Sequence, residues 1–342
     1  MKLCCSSFLL MALALGAGGS PGGAKETRPA YLGAIVVEAE TGRVLFEDNA
    51  DIVSPPASMT KLMTFAVLHD KLAGGALTLE TPVTITAEDS RIGGTQVWLK
   101  QGETFPLEEL IYAMMIQSGN DTAQALARVA AGTPAAFVEL MNAKASALGM
   151  TRTTFRTPHG LPPANRRTAD GDLTTPRDYA LLCRYLLAAT NVTKYTAVRQ
   201  RKFGEGRRTA DRVIDMVNHN RLLGKVAGVD GLKTGFTNGA GYCLAATAER
   251  GGRRVIVVVM GSPDSKTRDL KVIELLERGF ALQPAALPAV KTGAPAATPV
   301  QPAALPTVKT DKTPAATAPA GESSTAREPV FIFRVIPPSK KP

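Results

Sequence analysis

The chain has 342 residues, with 40 Lys and Arg against 30 Asp and Glu for a formal net charge of +10, and only 3 His and 4 Cys. That length suits one large core or two interlocked subdomains. Basic residues are not interleaved with aromatics, which argues against a single-stranded nucleic-acid groove, and no Cys has metal-ligand spacing to a His.

From the N-terminus, Lys2 precedes an apolar run, Leu3 to Leu15, and small residues follow to Ala24. This reads as a secretory signal peptide over residues 1–24, with an uncleaved anchor as the alternative. Cys4 and Cys5 lie too early for a lipoprotein cleavage site, and the run is short for a membrane span. Outside the cytoplasm, the excess of positive charge suits attraction to anionic polymers or lipid headgroups, and equally plain solubility.

Residues 31–282 have globular composition. Ala34–Glu38 and Arg43–Glu47 flank Thr41-Gly42, a hairpin signal. Pro55-Pro56 ends extended structure, and a helix opens near Ser58 with Leu62, Phe65, Ala66 and Leu68 on its buried side. Residues 78–200 read as mostly helical: Leu107–Met115, Thr122–Ala131, Pro134–Leu148 stopping at Gly149, and Leu173–Ala188 with Pro176 in its first turn. The pattern then changes to three strands, Val229–Thr234, Tyr242–Ala248 and Arg254–Met260, closed by a helix over Asp264–Phe280. Strands at both ends with helices between imply an α+β fold: a mostly antiparallel sheet completed by the two ends, with a helical subdomain inserted. Cys183 and Cys243 sit in apolar runs and read as small buried hydrophobes.

Beyond this, residues 283–342 are Pro-, Ala- and Thr-rich, and Gln283–Thr292 nearly recurs at Gln301–Thr310. Such a tract is expected to be a disordered, semi-extended tail. Val330–Ile336 adds a short apolar patch suited to weak contact with a membrane or another envelope protein.

Three short runs carry the chemistry: Ser58-Met59-Thr60-Lys61, Ser118-Gly119-Asn120 and Lys233-Thr234-Gly235. A serine hydroxyl needs a neighbouring base, and residues three apart share a helix face, so Lys61 can serve Ser58. A lysine acts as a base only when burial or a second cation disfavours its charge, and Lys233 would be that cation. Ser118 lies between two helices, where its hydroxyl can relay a proton to a leaving amine; Asn120 can hold a peptide carbonyl or the Lys61 ammonium, or simply cap the following helix. On a strand, Lys233 and Thr234 offer donors for a terminal carboxylate, while Gly235 lets a peptide approach the strand edge and add to it. The backbone N–H groups of Ser58 and Phe236 would form an oxyanion hole. Lys291-Thr292-Gly293 repeats the third motif among Pro and Ala, where no strand forms, and Gly18–Gly22 mimics a nucleophile elbow inside the leader. Lysine as base leaves His69, His159 and His219 unneeded.

With these runs stand Thr41–Leu45, Pro56–Lys61, Met141-Asn142, Leu148–Met150, Pro158–Leu161, Asn218–Asn220 and Asp230–Gly235. Over residues 31–282 the chain resembles the serine D-alanyl-D-alanine carboxypeptidases, the low-molecular-mass penicillin-binding proteins, with their β-lactamase/transpeptidase-like fold. The resemblance implies acylation at Ser58, proton transfer by Lys61, relay by Ser118, and carboxylate binding near Lys233 and Thr234. Arg268, after Met260-Gly261, resembles an arginine supporting that site. It further implies peptidoglycan stem peptides as substrate, acylation by β-lactam antibiotics, no cofactor and no metal, and a place in the bacterial cell envelope. Phe155–Pro158 and Thr174–Asp178 depart from the usual pattern, and the Pro-rich tail stands where many members carry a β-rich domain and an anchoring helix.

Three rivals share these motifs. A DD-endopeptidase uses the same residues. A class A β-lactamase needs a carboxylate to activate the deacylating water, and the nearest string, Glu139-Leu140-Met141-Asn142, reads instead as a helix face. A non-enzymatic wall-binding or drug-sensing protein predicts idle catalytic residues.

Overall fold

The structure, a computed structural model, describes residues 29–282; the leader, the duplicated tail and the Val330–Ile336 patch lie outside them. β1 (Gly33–Glu38) and β2 (Val44–Asp48) form the expected hairpin. A 3-10 turn, Ala57–Thr60, runs straight into α1 (Lys61–Ala73), so Ser58 sits one turn ahead of the α-helix proper.

A short hairpin, β3 (Pro82–Thr84) with β4 (Thr104–Pro106), brackets the single turn α2 (Ala87–Ser90). Then come α3 (Leu107–Ile116), α4 (Asn120–Ala131), α5 (Pro134–Ala147), α6 (Pro176–Ala189) and the turn α7 (Thr193–Thr196). A second small hairpin, β5 (Gln200–Phe203) with β6 (Ile214–Val217), precedes the long strands β7 (Val229–Thr237), β8 (Gly241–Arg250) and β9 (Arg253–Ser262), and α8 (Ser265–Leu282) closes the series.

Both small hairpins fall inside regions read as helical or left unassigned. Strands of three or four residues are too short to show an alternation. Helix α6 begins later than expected. Thr175 caps it by accepting the Asp178 N–H, and Pro176 takes the first helical position. Leu173 and Thr174 are extended instead, bridging to Thr154 and Ser54.

The main sheet runs β2-β1-β9-β8-β7, antiparallel throughout. The first strands thus pair with the last, and everything from α1 to β6 is inserted between them, in keeping with the expected α+β architecture. Alternate residues serve two cores. Ile35, Val37, Ile256, Val258 and Met260 face the helical insertion, whereas Ala34, Val36, Val255, Val257 and Val259 face α8. Period-2 alternation with both faces apolar gives near-continuous hydrophobic strands, here Arg253–Ser262. Cys183 and Cys243 are both buried thiols. No helix among the described residues is long and apolar enough to cross a membrane.

The entry to β7 depends on a close backbone approach. Gly228 has φ +79°, and a Cβ there would lie 2.2 Å from the Glu249 carbonyl oxygen. Gly228→Ala should therefore destabilise the fold by about 2–3 kcal/mol, combining the left-handed backbone cost with a clash that only strand displacement relieves. Thermal unfolding measures this; a melting temperature equal to the parent's would refute it.

Candidate active site

From Pro56 to Leu68 every residue is buried except Ser58, which is half-exposed. The turn is thus anchored on all sides and presents one hydroxyl. Two glycines make the anchoring possible. A Cβ on Gly235 would lie 2.4 Å from the Pro56 carbonyl oxygen and 3.2 Å from the Met59 nitrogen, and one on Gly160 would lie 2.0 Å from the Ala57 carbonyl oxygen. The space that the missing side chain of Gly235 frees is filled by the turn carrying Ser58, a close approach that the sequence did not show, and Gly235 also lines the cavity described below.

Lys61 is fully buried one turn on. Its Nζ donates to Ser58 Oγ at 3.0 Å, Asn120 Oδ1 at 2.7 Å and the His159 carbonyl oxygen at 2.8 Å. All three acceptors are neutral groups. Burial, then the nearby Lys233 charge, pushes the Lys61 pKa well below the ordinary lysine range. Lys233 lies on β7, the edge strand, and is also buried. Burial and the Arg268 guanidinium bring its pKa down to about 7.

Ser118 occupies the link between α3 and α4 with φ +66°, and its buried Oγ has no hydrogen-bond partner. Asn120 is the first residue of α4 and does not cap it. Its side chain accepts from Lys61 and donates to the Gly93 carbonyl at 2.8 Å, while its backbone N–H donates to the Thr95 carbonyl at 2.8 Å. Asp121 does not cap α4 either. Its buried carboxylate accepts the N–H groups of Val97 and Leu99, fastening the 93–99 loop beside the cleft.

Ser58, Ser118, Thr234, Gly235, Phe236 and Arg268 line one cavity of about 340 Å³. The Phe236 ring stacks on Tyr242 with centroids 4.2 Å apart. Arg268, in the first turn of α8, is buried and paired with Asp269 at 2.6 Å. Among the described residues no Asp or Glu lines this cavity. Glu139, the nearest match to a deacylating glutamate, is exposed on α5, and Asn142 beside it is engaged with the Phe155 backbone.

Four contributions escape a reading of the sequence. Asp172 is buried and accepts from Thr60 Oγ1 at 2.8 Å, the Arg156 and Thr157 N–H groups at 2.6 and 2.9 Å, and Thr157 Oγ1 at 3.0 Å. It thereby ties the Ser58 turn to the loop that offers the His159 carbonyl. His159 itself acts through that carbonyl; burial, then the Lys61 charge, holds its imidazole pKa down to about 3. His219 and Arg221 also line the cavity. Burial, followed by the cations Lys233 and Lys61, lowers the His219 pKa to about 4, so a neutral ring faces the cleft. The run Asn218–Asn220 carried the signal. Asn218 bonds the Thr196 and Val198 carbonyls and Asn220 bonds the Gly231 carbonyl, aiming the histidine between them.

Such a site can deprotonate a hydroxyl, hold an anionic group close to it, and shield the pair from bulk water. It does so at a cost in stability. The unfolded chain binds a proton at Lys233 up to the ordinary value of 10.5, whereas the folded site releases it above about 7. Stability therefore rises with pH across that window. Lys233→Met should stabilise the fold by about 1–4 kcal/mol below the window, the gain seen when apolar groups replace buried charge, and the gain should vanish at alkaline pH. Melting curves of both proteins at several pH values test this; a variant less stable than the parent near neutrality would refute it.

Comparison with known proteins follows the same lines. A family profile described as D-alanyl-D-alanine carboxypeptidase matches residues 26–264. The chain is 35% identical over 247 residues to the D-alanyl-D-alanine carboxypeptidase DacF of Bacillus subtilis, a match covering 72% of this chain and 61% of that relative's length. The crystal structure of the D-alanyl-D-alanine carboxypeptidase DacD from Francisella tularensis superposes with a TM-score of 0.69 at 28% identity, covering 75% of this chain and 71% of that one. An ampicillin-bound penicillin-binding protein of Listeria monocytogenes superposes with a TM-score of 0.64 at 33% identity, covering 73% and 97%.

Proposed function

The chain belongs to the D-alanyl-D-alanine carboxypeptidase family, and on that premise we propose that it hydrolyses the terminal D-Ala from peptidoglycan stem peptides through an acyl-enzyme at Ser58. The observation that carries the proposal is the fully buried Lys61 ammonium group, 3.0 Å from Ser58 Oγ and without a carboxylate partner.

Neutral Lys61 takes the hydroxyl proton as Ser58 attacks the penultimate D-Ala carbonyl. The backbone N–H groups of Ser58 and Phe236 receive the oxyanion. Ser118, whose Oγ has no competing partner, passes the proton on to the leaving amine. Lys233, Thr234 and Arg268 hold the terminal carboxylate. Asn120 and the His159 carbonyl orient Lys61 throughout. Water then releases the product.

Penicillins acylate the same serine. Among the described residues no acidic side chain lines the cleft wall to activate water, which favours this reading over a β-lactamase and predicts a persistent adduct. The leader read over residues 1–24 fits export to the cell envelope, where both the substrate and a basic surface would operate.

Mass spectrometry after exposure to penicillin should find the added mass at Ser58, with none in Ser58→Ala. Turnover of the adduct should stay below about one per second, slower than an ordinary enzyme. Lys61→Arg keeps the charge but offers no accessible neutral form, so acylation should fall by about 10²–10⁴-fold. Lys233→Arg should retain far more acylation and lose mainly in KM. Modification at another serine, or equal losses in the two arginine variants, would overturn the assignment.

A further inference from the structure

A second cavity, of about 470 Å³, adjoins the first at the Ser58 turn, where Ala57 and Pro55 form its wall. Its far wall is the end of β7 and the following turn, Thr237, Asn238 and Gly239. A peptide added along the β7 edge, with its carboxylate at Thr234 and Arg268 and its reacting carbonyl at Phe236, would place the preceding residue one strand step on, about 3.3 Å further. That step would bring it level with Thr237 and Asn238, which line the second cavity.

Two charged residues line this space, and they are not equivalent. Asp172 is buried, and its carboxylate already accepts from four donors. Arg166 is exposed, and its guanidinium has neither a hydrogen-bond acceptor nor an ion-pair partner among the described residues. Its neighbour Arg167, by contrast, pairs with Asp170 at 3.6 Å. The backbone at Arg166 is left-handed, φ +56°, an uncommon setting for a residue with a side chain, and its N–H is tied to the Pro163 carbonyl at 2.8 Å. The loop therefore sets an unpaired cation at the wall of a cavity whose one carboxylate, Asp172, is buried and already engaged, the rest of the lining being apolar residues, Gly and hydroxyl or amide groups.

We propose that this cavity is the subsite for the residue preceding the D-Ala pair, and that Arg166 selects a side chain ending in a carboxylate. The proposal rests on the reading of Ser58 and β7 given above. The substrate class it specifies is a stem peptide whose third residue is a diamino dicarboxylic acid, in preference to one with lysine there; the two side chains differ by a single carboxylate.

The test compares two N-acetylated tripeptides, 2,6-diaminopimelate-D-Ala-D-Ala and lysine-D-Ala-D-Ala, by released D-Ala with the full chain. The parent should favour the dicarboxylate by about three- to tenfold in kcat/KM, mainly through KM, the scale of a partly exposed charge-assisted contact. The preference should shrink as ionic strength rises from about 0.05 to about 0.5 M. Arg166→Ala should bring the ratio near one, Arg166→Lys should keep part of it, and Arg166→Glu should reverse it. Equal kcat/KM for the two peptides in the parent, or a preference that survives Arg166→Ala, overturns the inference alone. Release of D-Ala from neither peptide overturns the reading of the active site and this inference with it.

Discussion

Everything in the cleft turns on keeping one ammonium group out of water. Lys61 hydrogen-bonds no carboxylate, only the neutral acceptors Ser58 Oγ, Asn120 Oδ1 and the His159 carbonyl, and burial and Lys233 outweigh the more distant Asp121 and Asp172 charges. A fully desolvated cation with a like charge nearby favours its neutral form, and only then is it a base. The placement of Lys233, itself pressed by Arg268, is part of the same device. The cations that lower the lysine's basicity also make the cleft attractive to an anion, so on the proposed mechanism activation and recognition would share one electrostatic source.

Holding that arrangement takes a scaffold with little slack. The Ser58 turn is clamped between β7 and the 156–160 loop at distances that Gly235 and Gly160 alone permit. Asp172 joins the turn to that loop, and Asp121 joins α4 to the 93–99 loop. These two buried carboxylates act on the Lys61 charge only from a distance, without bonding it. Each converts loose backbone into a fixed wall, as a supporting shell must when donors and acceptors have to sit within fractions of an ångström.

Much of this was legible in the sequence, for a definite reason. Ser58 and Lys61 are three residues apart, so helical geometry alone brings them together; the long helices and strands showed their periods, and the family likeness supplied the order of the three motifs. What stayed hidden depends on contacts between distant residues. Thr60 and Asp172 are separated by 112 positions, and the His159 carbonyl has no side-chain signature at all. Gly235 was recognised as a close approach, but its packing against the Ser58 turn was not, because a sequence states that space is needed without saying what fills it. Asn120 was legible as a partner for the Lys61 ammonium and also as a helix cap; it is the first residue within the helix, and its amide accepts from Lys61 and donates to the Gly93 carbonyl.

The sheet order has a consequence for how the chain reaches this state. β1 lies between β2 and β9, so its second partner is made more than 200 residues after it. Pairings of such long range are slow to form. Until β9 arrives, β1 offers an apolar strand with both faces unsatisfied, and the helical insertion has no sheet to rest on. Until those last strands are delivered the nascent molecule leaves that apolar strand uncovered, which makes it prone to association.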